Sequence, residues 1–229
     1  MNDRVTRLFD AERSKRKLRE ELFAMGEDQL SRELPALVGT LMSGLAKSED
    51  EDEREMRLFV LADVLNDVPG AKAVDCLVDI VGLAEGEAYK AALDALETRA
   101  VDRFKEFAQG VERALERLGR GHAALSELPY LLADVGEPPC DRLLCRFLDH
   151  ADPEAVAAGI EAIAELGDPK LATALAHLSR DTRTVTIPVE SGEERVTIGA
   201  LAEEASDLLR ELGRSMSVVG GDRGDKGRS

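Results

Sequence analysis

The sequence predicts an all-α protein: an α-solenoid of about five antiparallel helix pairs, with one small β-hairpin inserted near 184–198. Three observations predict it. Apolar residues recur at three-and-four spacing along most of the chain, sharp Gly, Asp and Pro stops separate the apolar stretches, and the pattern repeats with a period in the low thirties. The stretch AVAAGIEAIAELGDPKLATAL at 155–175 holds all three in miniature. Val156, Ile160, Ile163 and Leu166 mark one helical face, and Leu171, Leu175 and Leu178 mark the next. Between them Gly167 suits a left-handed C-cap, Asp168 an N-cap and Pro169 a first helical position, which makes the two helices antiparallel neighbours.

Composition supports a helical core and removes several partners. Of 229 residues 44% are apolar but only 3% aromatic, with no Trp, so the core rests on Leu, Val, Ile and Ala. That is enough chain and enough apolar content for a real core. The formal charge of −16 disfavours nucleic acid and anionic membranes as partners. No apolar run reaches spanning length, and MNDRVTRLFDAERSKRK has no secretory h-region, so the sequence predicts a soluble, cytoplasmic protein without membrane insertion. Cys76, Cys140 and Cys145 give an odd count without a CxxC, and no disulfide framework is expected.

Taken in order, residues 1–27 form an N-terminal region in which 3–25 read as one helix with Val5, Leu8, Phe9, Leu18, Leu22 and Phe23 as its apolar residues, interrupted by the basic run Arg13-Ser14-Lys15-Arg16-Lys17. Two roles fit: a cap packed on the first pair, or an arm that docks on another subunit or partner. The repeat domain then covers 28–212. First helices are predicted near 30–46, 71–82, 101–118, 139–149 and 169–179, second helices near 54–66, 87–99, 122–134, 154–166 and 200–212. Pro35 and Pro129 fit either a first helical turn or a kink. Glu49-Asp50-Glu51-Asp52-Glu53 reads as a solvated loop. Val185, Ile187 and Val189, then Val196 and Ile198, alternate as strands around a turn at Ser191-Gly192, either covering the solenoid end or offering an edge to a partner strand. Residues 213–229 read as a disordered tail, and the Arg223-Gly224-Asp225 triplet within it carries no weight. Charge is uneven: residues 1–25 and 213–229 are each +2, leaving −20 on the middle.

Internal repeats appear on sliding the chain. A shift of 67 lays 88–96 over 155–163, and a shift of 31 lays Ala133–Gly136 over Ala164–Gly167 and Asp63-Val64-Leu65 over Asp94-Ala95-Leu96. The alignment makes Asp63, Asp94 and Glu161 equivalent on three second helices, and Asp134 and Glu165 equivalent on two.

Leu166-Gly167-Asp168-Pro169, the Ala-rich second helices, Asp181-Thr182-Arg183-Thr184-Val185 and Val196-Thr197-Ile198-Gly199-Ala200-Leu201-Ala202 resemble HEAT-like repeats, closest to the short subclass named after phycobilisome lyases. The resemblance is strongest over 130–212, fair over 54–99, and poor for 1–27 and the tail. It implies that the second helices line a concave surface, which places Asp63, Asp94, Asp134, Glu161 and Glu165 along an acidic groove. It implies a protein-binding platform, since enzymes are a minority among such families.

No catalytic constellation appears. His122, His150 and His177 are scattered, no phosphate-loop motif is present, and neither metal nor cofactor is expected. The expected function is a non-catalytic scaffold or adaptor that binds another protein with a basic surface, an inhibitor or immunity-type binder being one form of it. The alternative is an enzyme resembling bilin lyases or isomerases, whose anionic ligand would be repelled by that groove. A HEAT-like DNA glycosylase would need a basic cleft and stacking aromatics, which the composition lacks.

Overall fold

The computed structural model describes residues 2–45, 50–136, 138–189 and 192–221; Glu49, Ser191 and the Arg223-Gly224-Asp225 triplet lie outside them. The described chain is helical apart from one two-stranded antiparallel sheet. It forms two compact units, Met1–Gly110 and Val111–Ser229, taken in turn below.

The first unit holds α1 (Asn2–Phe23), α2 (Glu27–Leu45), α3 (Glu51–Asp67), α4 (Ala71–Leu83), α5 (Gly86–Asp102) and the start of α6 (Phe104–Arg117). Gly26, at φ 84°, turns the chain between α1 and α2. The acidic run is not the loop its composition predicts. Asp50 is the N-cap of α3, its carboxylate accepting the Glu53 N–H at 3.0 Å, and Glu51 to Glu53 fill the first turn. Carboxylates belong there, because the first turn presents unpaired N–H groups and the positive end of the helix dipole. Ala73, Val74, Cys76, Leu77, Val78, Ile80 and Val81 bury most of α4, which packs against α2, α3 and α5, while α3 lies along α5. Gly110 of α6 sits so close to Val74 that a Cβ would collide with it. Arg99 of α5 is only 1% exposed and donates to the carbonyls of Leu65, Asn66 and Val68, closing the C-terminal end of α3. Glu106 accepts the Gly70 N–H at 2.7 Å and lies 3.6 Å from the same guanidinium.

The second unit holds the rest of α6, then α7 (Ala124–Val135), α8 (Pro138–Leu148), α9 (Pro153–Leu166), two short 3-10 helices (Pro169–Thr173 and Ala176–Leu178), β1 (Thr184–Val189), β2 (Gly192–Thr197) and α10 (Ile198–Gly221). Helix α9 is its centre: α7, α8 and α10 all pack on it. Small residues permit this. Ala155 through Ile160 are buried without a break, and a Cβ on Gly159 would come 2.9 Å from Phe147 Cβ. The Gly-Asp-Pro turn is built as its residues dictate: Gly167 is left-handed at φ 64°, Asp168 accepts the Lys170 N–H at 3.0 Å, and Pro169 opens the next helix.

That next helix differs from the expected α-helix over 169–179. The segment keeps Leu171, Leu175 and Leu178 buried but does so in two 3-10 pieces. It is short, and its end is held by the hairpin exit: the Gly199 N–H bonds the Asp181 carbonyl at 3.0 Å, and Gly199 lies against the carbonyls of Leu178 and Ser179. Pro35 and Pro129 lie inside α2 and α7, beyond the first turn. The hairpin pairs Thr184 with Thr197 and Val185 with Val196, and Val185 is buried. Helix α10 continues through 213–221, residues whose composition reads as part of a disordered tail, and 222–229 lie outside the described chain.

Several long-range hydrogen bonds have a spacing in the low thirties. Ala88 N–H to Glu55, Arg99 to Leu65, Gly121 N–H to Asp152, Tyr130 to Glu161, Arg183 to His150 and Ser206 to Ala172 all join residues 31 to 34 apart.

Candidate protein-binding faces

The equivalent carboxylates of the repeat alignment meet different fates in the two units. In the first, Asp63 faces a partner within its own unit. Arg19 of α1 donates to the Asp63 carboxylate at 2.6 Å, to the Asp63 carbonyl at 3.2 Å and to Asp67, and Lys15 lies 3.7 Å from Asp63. The hydrogen bond to Asp67 leads the causes that raise the Arg19 pKa above its ordinary value. Arg19 also covers the Phe23 ring, 5.6 Å from its centroid. The C-terminal half of α1 thus neutralises the acidic strip of α3. Asp94, on the adjacent α5, is exposed, and its carbonyl accepts the Thr98 hydroxyl at 2.9 Å.

The second unit brings the other three residues together with more acid. Spacing alone puts Glu154, Glu161 and Glu165 on one stripe of α9, and Glu127, Tyr130 and Asp134 on one stripe of α7. Because α7 lies along α9, the stripes meet, and the Tyr130 hydroxyl donates to the Glu161 carboxylate across them. Burial, then Glu161, Glu127 and Glu165, push the Tyr130 hydroxyl above its usual range. Burial, then Asp152 and Glu161, raise the Glu154 carboxyl. The charges that raise these two groups are carboxylates, and neither α7 nor α9 contains Lys or Arg. Asp134, Glu161 and Glu165 are all exposed. A face of this kind attracts cationic side chains, and Tyr130 adds an aromatic surface beside the carboxylates.

The histidines do structural work. His122 Nδ1 accepts the Ala124 N–H at 3.3 Å and His150 Nδ1 accepts the Asp152 N–H at 3.1 Å, each at the entry to a helix, while His177 Nδ1 lies 2.8 Å from the Ala174 carbonyl. Among the described residues no group of three or more His, Cys, Asp or Glu is arranged to hold a metal ion.

Sequence reasoning missed three things. Arg19 and Lys15 answer Asp63; the signal was the basic run on the α1 stripe. Tyr130 joins α7 to α9; the signal was its 31-residue offset from Glu161. The third is a largely apolar groove of about 550 Å³ in the first unit, walled by Leu41, Gly44 and Leu45 of α2 and Met56, Arg57, Val60 and Leu61 of α3. Exposed apolar residues at helical spacing resemble core positions until burial is known.

No family model matches the chain, and no curated protein matches it. Among solved structures it is similar to the crystal structure of an engineered protein, at 14% identity over 87% of this chain and 96% of that one, with a TM-score of 0.33. A likeness that slight carries no argument about fold or function. No helix among the described residues is long and apolar enough to cross a membrane.

Proposed function

We propose that the chain is a non-catalytic, HEAT-like helical-repeat scaffold of the cytoplasm that binds another protein through a basic surface on that partner. The acidic face of α7 and α9 is the docking site. One observation carries the reading: Asp134, Glu154, Glu161 and Glu165 are exposed around Tyr130 on two helices whose own sequences hold no Lys or Arg. A basic partner offsets the mutual repulsion of these carboxylates, and their field steers the encounter. The first unit supports the reading by analogy, since its own acidic strip at Asp63 and Asp67 is matched by a basic helix. An inhibitor or immunity-type role is the specific form that this chemistry suits.

Affinity capture from the native host at low salt tests it. The wild-type chain retains a basic protein, and Glu161→Lys with Glu165→Lys loses that protein while the helical circular dichroism is unchanged. Identical capture by both would move the site elsewhere on the molecule.

A further inference from the structure

The ion pairs of α1 fix its direction along α3. Lys15 meets Asp63 and Arg19 meets Asp67, each pair 48 residues apart, so the two helices run the same way in one register. Leu8 stands seven residues before Lys15, and Met56 seven before Asp63. Each lies about 10 Å back along its helix at 1.5 Å per residue. The ion pairs therefore aim Leu8 at Met56.

Both helices are apolar at that end. Leu8 shares the stripe of Lys15 and Arg19, with Val5 three residues before it and Phe9 beside it. On α3, Met56, Phe59 and Val60 stand at i, i+3 and i+4 on the outward stripe that carries Asp63 and Asp67. Toward their C-terminal ends one stripe turns from apolar to basic and the other from apolar to acidic, in the same order. Glu12 falls at Val60 in this register, one turn from Arg57 on the groove wall, which sets an acid beside that cation.

In the structure only the charged halves meet. Leu8 is 68% exposed and Met56 49%, and Val5, Phe9, Phe59 and Val60 are exposed as well. The tether is soft, since half-exposed pairs on long side chains hold weakly. Gly26, left-handed at φ 84° with open space around it, joins α1 to α2. Residues 2–23 hold no Gly or Pro, so α1 swings about that end as a straight rod.

We propose that α1 is a strap that closes over α3 of its own chain, turning about its Arg19 end so that Val5, Leu8 and Phe9 cover Met56, Phe59 and Val60 and roof the α2–α3 groove. Closure removes from water two apolar faces that the open form leaves in it. The device lies within the first unit and does not depend on the α7–α9 face.

Disulfide trapping in the full chain tests closure. Cys76 and Cys140 are buried, so Cys145→Ser supplies the background. There Leu8→Cys with Met56→Cys oxidises within one chain, at a rate independent of protein concentration. That rate is about tenfold or more above the rate for Leu8→Cys with Val101→Cys, an exposed site on α5. A second readout needs no cysteine: Val60→Asp, at an exposed position, speeds amide exchange over residues 6–12 about threefold or more while the helical circular dichroism is unchanged. A disulfide that forms only between chains, or no faster than the Val101 control, overturns the proposal. So does exchange over residues 6–12 that Val60→Asp leaves as it was.

Discussion

The sequence alignment sets Asp63 and Glu161 at equivalent places, yet one is paired to cations from its own α1 and the other to a tyrosine within a pair of helices that carry no Lys or Arg. The difference teaches that a repeat alignment finds equivalent positions but not their electrostatic state. That state depends on what else the chain brings to the position. In the first unit a basic helix supplies the answer; in the second, α7 and α9 present acid alone. A parallel contrast runs through the helix ends. Arg99 closes α3 from inside the first unit, 1% exposed, while Arg183 bonds the His150 and Ala151 carbonyls near the surface of the second.

The largest effect that would sharpen this contrast is the loss of Arg99. Its removal takes the guanidinium donor from the carbonyls of Leu65, Asn66 and Val68 and empties a buried site, and Arg99→Ala is expected to cost about 3 kcal/mol in chemical denaturation. Arg183→Ala, at a half-exposed site still reached by water, is expected to cost about 1 kcal/mol. Equal costs would erase the distinction between a buried and a surface cap. Burial, then repulsion from Arg103, lowers the Arg99 pKa to about 10, so the cap stays charged at neutral pH.

A smaller effect is the pH dependence of the second unit. The hydrogen bond and charge of Arg183 hold the Asp181 carboxyl below its usual range. A depressed folded pKa means stability that is fully present above the unfolded value, near 4, and lost as pH falls through the folded value. Acid titration of stability is therefore expected to show a loss below about pH 4 that Asp181→Asn removes. Smallest is the tether of α1: Arg19→Ala breaks half-exposed pairs worth about 0.5–1 kcal/mol. It should speed amide exchange in α1 and leave α4 protected.

Much of the fold was legible because helical packing needs only a stripe and a stop. Val156, Ile160 and Ile163 gave the stripe, and Gly167, Asp168 and Pro169 the stop; their geometry follows from local chemistry. The alternation of Val185 and Ile187 against Val196 likewise marked the hairpin. The 169–179 segment was misread because its leucine spacing suits either helix type, and the hairpin exit that holds its end lies far along the chain. The acidic run from Asp50 was misread because composition cannot separate a loop from a helix N-terminus. For the candidate faces, the positions of Asp134, Glu161 and Glu165 were readable from periodicity. The neutralisation of Asp63 was not, since it requires knowing that the fold brings Arg19 and Lys15 of α1 to α3.

The most direct test is a titration of a lysine-rich amphipathic helical peptide onto the full chain, its dissociation constant measured at low and moderate salt. If the α7–α9 face is the site, Glu161→Lys with Glu165→Lys weakens binding about tenfold or more, wild-type binding weakens with salt, and Asp63→Asn leaves it unchanged. Equal binding by the wild type and the charge-reversed variant, or a loss with Asp63→Asn alone, would contradict the account.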